Sequence, residues 1–66
     1  MGSLYDTKVR IDSAIKSRNL DAVAVNGEIV LRAGFLLAFI NPSTPDDPAK
    51  LQKLRTAAQQ VLGVSV

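Results

Sequence analysis

The side chains that could do chemistry are few in this sequence, and no set of them is typical of an active site. The chain has no Cys and no His, which excludes thiolate nucleophiles, imidazole proton transfer and most transition-metal sites. The serines therefore have no base of the usual kind to activate them. We predict a protein that is not an enzyme and that has no cofactor and no metal site.

The carboxylates offer the remaining chemistry. Asp46 and Asp47 form the only adjacent acidic pair, and hard cations such as Mg²⁺ and Ca²⁺ bind carboxylate oxygens. Such sites need several oxygens around the ion, whereas two acids before a helix are explained by capping and the helix dipole. Asp21 and Glu28 are interpreted in the same way, as acids at helix starts rather than as a general acid and base. We therefore expect these groups to be structural.

The basic residues give a weak electrostatic signal. Eight Lys and Arg against six Asp and Glu leave a net charge of +2, and the two signs alternate along the chain without forming a basic block. Five cations on the first and last predicted helices are candidate contacts for phosphates or an acidic partner: Lys8, Arg10, Lys50, Lys53 and Arg55. They support an alternative function, a small basic regulator that binds nucleic acid through helices 1 and 3.

Two of the elements that would position these side chains have clear helical patterns. Leu4, Ile11 and Ile15 recur at helical spacing, which predicts a helix over 3–19 that starts with Ser3 as its cap. Apolar residues recur in the same way after Leu51, which predicts a helix over 45–62.

The boundaries of the last helix are marked by turn chemistry. Three prolines fall between 42 and 48. Either Thr44 caps the helix with Pro45 in its first position, or Asp47 caps it with Pro48. Gly63 predicts the end of this helix.

The middle of the chain has two interpretations. The segment 22–31 contains Asn26-Gly27 between two short apolar runs, which is a strong hairpin signal. Alternatively, a short turn occupies 21–25 and Asn26 caps a helix over 27–40. We favour the helix because the run Arg32–Ile40 is rich in Leu, Ala and Phe, and because an isolated hairpin is marginally stable.

The predicted central helix is apolar around its whole circumference. From Ile29 to Ile40 only Arg32 is charged and only Gly34 lacks an apolar side chain. A helix of this kind must be surrounded, and it is too short to span a membrane. Gly34 indicates either close packing or a tolerated defect. We predict one all-α domain over 1–66, a three- to four-helix bundle with a fully apolar central helix; the alternative is an α+β fold with the 22–31 hairpin.

Two flanking helices cannot cover such a helix completely, so the sequence predicts a binding surface. We expect a non-enzymatic protein–protein interaction or oligomerisation module, since small domains without metals or disulfides often gain stability by association. The partner is itself or another protein, with nucleic acid second and no membrane. We also expect a cytoplasmic location, because the start of the chain lacks a secretory signal pattern. The candidate interface comprises Tyr5, Val9, Phe35, Leu36 and Phe39.

Overall fold

A computed structural model describes residues 3–65. It contains three α-helices, α1 (Ser3–Ser17), α2 (Ala22–Ala33) and α3 (Pro48–Leu62), and a 3₁₀ turn at Leu37–Phe39. The described residues contain no strand, so the all-α prediction is confirmed and the hairpin alternative is wrong. The bundle has three α-helices rather than four, because the only additional helical element is the 3₁₀ turn.

The start of α1 is held by a distant residue. Asp46 accepts a hydrogen bond from the Ser3 amide at 2.6 Å, so the residue that binds this end comes from the loop before α3. Ser3 itself lies inside the helix, and its predicted role as the cap is therefore wrong. The helix ends at Ser17, and Asn19 takes the left-handed conformation, with φ of 55°, that asparagine tolerates best among residues with a side chain.

The central helix begins five residues earlier than predicted. Asp21 caps it by accepting hydrogen bonds from the amides of Val23 at 3.0 Å and Ala24 at 3.3 Å. Asn26 is therefore an interior residue and not the cap. The segment 22–25, predicted to be a separate turn, forms the first turn of α2.

The central helix also ends earlier than predicted. Gly34 has φ of 83°, and its amide donates to the carbonyl of Val30 at 2.9 Å, which is a left-handed helix end that glycine adopts without strain. The prediction that the chain stays helical to Ile40 is thus wrong. Gly34 neither contacts a neighbouring backbone nor lies inside a helix, because it ends the helix.

The apolar run 29–40 is consequently divided between two structures. Its first part belongs to α2, and its second part is an extended segment and the 3₁₀ turn. The polar residues of α2 are Asn26, Glu28 and Arg32. The prediction of a fully apolar central helix is therefore not confirmed.

The boundaries of α3 agree with one of the two predicted alternatives. Asp47 caps the helix by accepting from the amides of Ala49 and Lys50, and Pro48 occupies the first helical position. Thr44 as the cap is wrong, since its hydroxyl accepts from the Asn41 amide within the preceding loop. Gly63 ends the helix with φ of 72°, as predicted.

Helices α1 and α3 run in the same direction around one apolar core. The contact between Ser3 and Asp46 lies where both helices start, and Arg18 donates to the Leu62 carbonyl near where both helices end. The core contains eleven buried apolar residues: Leu4, Ile11, Ile15, Ile29, Ala33, Leu37, Ile40, Leu54, Ala57, Ala58 and Leu62. Among residues 3–65, no helix combines the length and apolar composition needed to cross a membrane.

Candidate interaction surface

The outward side of α2 carries large apolar side chains that no part of the described chain covers. Val23 and Leu31 retain 84% and 79% of their accessible surface. Both are four residues from Gly27, so the three lie on one strip of the helix. The opposite side of the helix presents Ile29 and Ala33 to the core. Helix α2 therefore has two apolar sides, of which only one is buried.

Leu36 connects this strip to a second exposed apolar region. It lines a cleft of about 350 Å³ together with Gly27 and Val30, and it lines a smaller cavity of about 120 Å³ together with Phe39. Leu36 is 51% exposed and Phe39 is 74% exposed. We define the apolar face as Val23, Gly27, Leu31, Leu36 and Phe39.

The cleft beside the apolar face has a polar component. The Oδ1 atom of Asn26 is buried there and has no hydrogen-bond partner within residues 3–65. On the α1 side, Lys8 donates from Nζ to the Ile40 carbonyl at 3.1 Å, and Asp12 also lines the cleft. Lys8 therefore helps to hold the end of the 3₁₀ segment against α1.

Two of the five predicted interface residues, Leu36 and Phe39, belong to the apolar face. Phe35 is half-buried, and the Lys50 ammonium lies 5.8 Å from the centre of its ring, within the range of a cation–π interaction. Tyr5 is half-buried and Val9 is exposed. Both belong to α1. Tyr5 lies about one turn before Lys8, and Val9 lies about one turn before Asp12; Lys8 and Asp12 line the cleft.

Sequence reasoning missed the two most exposed large apolar residues. The sequence predicts Val23 in a separate turn and Leu31 in the central helix, and neither is among the candidate interface residues. The signal that finds them is the four-residue spacing of Val23, Gly27 and Leu31. The spacing places the three residues on one strip only if they belong to the same helix, which requires the helix to begin directly after Asp21.

The predicted phosphate contacts do not form one surface. Lys8 is half-buried and donates to the Ile40 carbonyl, and Lys50 is exposed but lies over the Phe35 ring. Arg10, Lys53 and Arg55 are exposed. Lys53 and Arg55 are two residues apart on α3, which places them about 200° apart around the helix axis. Arg55 therefore lies on a different side of α3 from Lys53, and the five cations do not share one surface.

The adjacent acids Asp46 and Asp47 bind backbone amides at helix starts. Asp47 caps α3 and Asp46 binds the start of α1, which confirms the capping role predicted for Asp47. Within the described part of the chain, Glu28 and Arg32 form the only ion pair, at 4.0 Å along α2. No three acidic side chains of residues 3–65 come together as ligands for a metal ion.

Comparison with protein-family models, curated proteins and solved structures found no match to this chain.

Proposed function

We propose that this protein is a non-enzymatic interaction or oligomerisation module that binds itself or another protein through the apolar face. The observation that carries the proposal is the exposure of Val23, Leu31 and Phe39, each of which retains about three quarters or more of its accessible surface. The other exposed large apolar residues, Val9, Leu20 and Leu36, each retain only about half of their accessible surface or less.

The size of the apolar face supports a binding role. Its side chains expose on the order of 500 Å² of apolar surface, comparable to the largest patches on monomeric proteins, which are often functional. Covering this area would contribute roughly 10 kcal/mol at ~25 cal/mol/Å², before the costs of association and ordering. The driving force is therefore large enough for a specific complex.

Photo-crosslinking at position 39 tests the proposal. Phe39 is replaced by benzoylphenylalanine in cells that produce the protein, and Thr56, an exposed residue of α3, carries the same group as the matched control. Irradiation is expected to give adducts with protein from position 39 and none from position 56. Mass spectrometry then identifies each adduct as a second copy or another protein. Equal yields from both positions, or none from either, would contradict the proposal.

Nucleic-acid binding is the alternative, and it depends on Arg10, Lys53 and Arg55. Phosphate contacts weaken steeply as salt rises, whereas apolar association persists or strengthens. A gel shift with mixed DNA and RNA at increasing salt separates the two functions. We expect no salt-sensitive complex, because these cations do not share one surface; a complex lost on changing them to Gln would favour the alternative.

A further inference from the structure

We infer that the apolar face binds a second copy of this chain, with the two α2 helices antiparallel across a two-fold axis at Gly27. This inference rests on the proposed function, and it specifies the partner and the geometry. No contact within residues 3–65 explains why position 27 is a glycine.

Glycine is not required at position 27 by the fold of one chain. Gly34 and Gly63 have positive φ angles and end their helices, whereas Gly27 lies inside α2 and is not among the residues with positive φ. A Cβ atom at position 27 would meet no atom within 4 Å. Glycine weakens a helix interior relative to alanine, so this residue destabilises the monomer without a benefit within it. Close approach by another backbone is a situation in which glycine is useful.

The neighbours of Gly27 make the strip complementary to itself. Val23 and Leu31 lie four residues before and after it. In an antiparallel pair with its axis at Gly27, Val23 faces the partner's Leu31 and Leu31 faces the partner's Val23, while the two glycines meet at the axis. The same patch then serves both copies, as in the closed interfaces of two-fold dimers.

Area and charge are consistent with this pairing. The apolar face of two copies would bury roughly 1,000 Å² in total, which reaches the lower limit for a specific protein interface. Glu28 and Arg32 border the strip and pair with each other, so the edge of the strip carries no net charge. The exposed cations Lys53 and Arg55 belong to α3, outside the strip.

Substitution of Gly27 tests the inference because its effects on the monomer and the dimer have opposite signs. Gly27→Ala is expected to raise the unfolding midpoint at concentrations where the chain is monomeric. Circular dichroism of Gly27→Leu at the same concentrations checks that this variant is folded. Sedimentation equilibrium is expected to show a wild-type dimer. Gly27→Leu should raise its dissociation constant roughly tenfold or more by separating the helices. Ala49→Leu, which introduces the same side chain at an exposed position on α3, is expected to leave the dimer unchanged.

The possible failures are distinguishable. A wild-type chain that stays monomeric at every concentration overturns this inference, while adducts from position 39 to another protein leave the proposed function intact. A dimer that Gly27→Leu does not weaken places self-association on a different surface and also overturns the inference. A monomer without adducts from position 39 overturns both.

Discussion

Asp46 and Asp47 are adjacent in sequence but stabilise different helices. Asp47 accepts from the amides of Ala49 and Lys50 and caps α3, while Asp46 accepts from the amide of Ser3 and holds the start of α1. The first amides of a helix lack partners within the helix, and its dipole is positive at that end. A carboxylate accepts hydrogen bonds from these amides and its negative charge is favourable there. Asp46 and Asp47 therefore stabilise the starts of the first and last helices.

Replacing Asp47 tests this role. Asp47→Ala is expected to lower the free energy of unfolding by about 1 kcal/mol, because it removes the acceptor for the first amides of α3. Urea denaturation followed by circular dichroism measures the change. Asp12→Ala, which removes an exposed acid from the middle of α1, serves as the control and should change the stability by less than half as much. Equal losses in the two variants would show that Asp47 acts through its charge alone.

Asn26 is the residue whose polar group is least well satisfied. Its buried Oδ1 has no hydrogen-bond partner within residues 3–65, and an unsatisfied buried acceptor costs free energy. Asn26→Leu, which has a similar shape, is expected to raise the free energy of unfolding by about 1 kcal/mol. Asn26→Asp should lower it, since it places a charge in the same position. Thermal denaturation of both variants checks the opposite signs, and destabilisation by Asn26→Leu would show that the amide is paired in solution.

At the scale of the element, α2 contains one glycine that its backbone does not need and is ended by another that its backbone does need. Gly34 ends the helix in a left-handed conformation, while Gly27 lies in its interior beside open space. The same substitution should therefore have opposite effects at the two positions. The ends of this helix are determined by backbone conformation, whereas its outward strip is not constrained by contacts within one chain.

Parallel alanine substitutions check this distinction. Gly34→Ala is expected to lower the free energy of unfolding by about 1 kcal/mol, because a Cβ is strained at positive φ. Gly27→Ala is expected to raise it by up to about 1 kcal/mol through higher helix propensity. Guanidinium denaturation at low protein concentration isolates the monomer. A loss of stability in both variants would mean that Gly27 has a structural role within one chain.

At the scale of the whole molecule, one small core is accompanied by an apolar surface that residues 3–65 leave uncovered. Among these residues eleven apolar side chains are buried, and domains of this size rarely gain more than a few kcal/mol from their core. Association through the apolar face would add to the stability of each copy, because binding to the folded state alone shifts the folding equilibrium. The proposed self-association would therefore couple stability to protein concentration.

This coupling predicts a melting temperature that depends on protein concentration. The wild-type midpoint is expected to rise measurably over a hundredfold increase in concentration. In Leu31→Lys the midpoint should not change with concentration, because a charge in the apolar face opposes association. The variant should still fold, since this residue is 79% exposed and contributes little to the core. Thr56→Lys adds the same charge on α3 and should retain the wild-type slope. Circular dichroism melts in cells of different path length provide the measurement, and a flat wild-type midpoint would exclude coupling through a dimer.

The sequence by itself determined the features that depend on local chemistry. Helical spacing predicted α1 and α3. Asp47 followed by Pro48 was one of the two predicted caps for α3, and Gly63 predicted the end of this helix. These features are predictable because capping, proline geometry and left-handed glycine act within a few residues. The excess of apolar residues around Leu36 and Phe39 also predicted surface that one chain leaves partly uncovered.

Only the tertiary structure decided where α2 begins and ends and what it exposes. Asp21 and Asn26 are comparable caps locally, and the run Phe35–Phe39 has good helix formers, so propensity did not reveal the break at Gly34. The break puts Leu37 and Ile40 in the core, because the extended residues at 36 and 40 change the chain direction around the 3₁₀ turn. The break also leaves Phe39 outside the core, whereas Val23 and Leu31 are exposed because they lie on the side of α2 opposite Ile29 and Ala33. Burial is decided by packing between distant segments, which local sequence patterns do not contain.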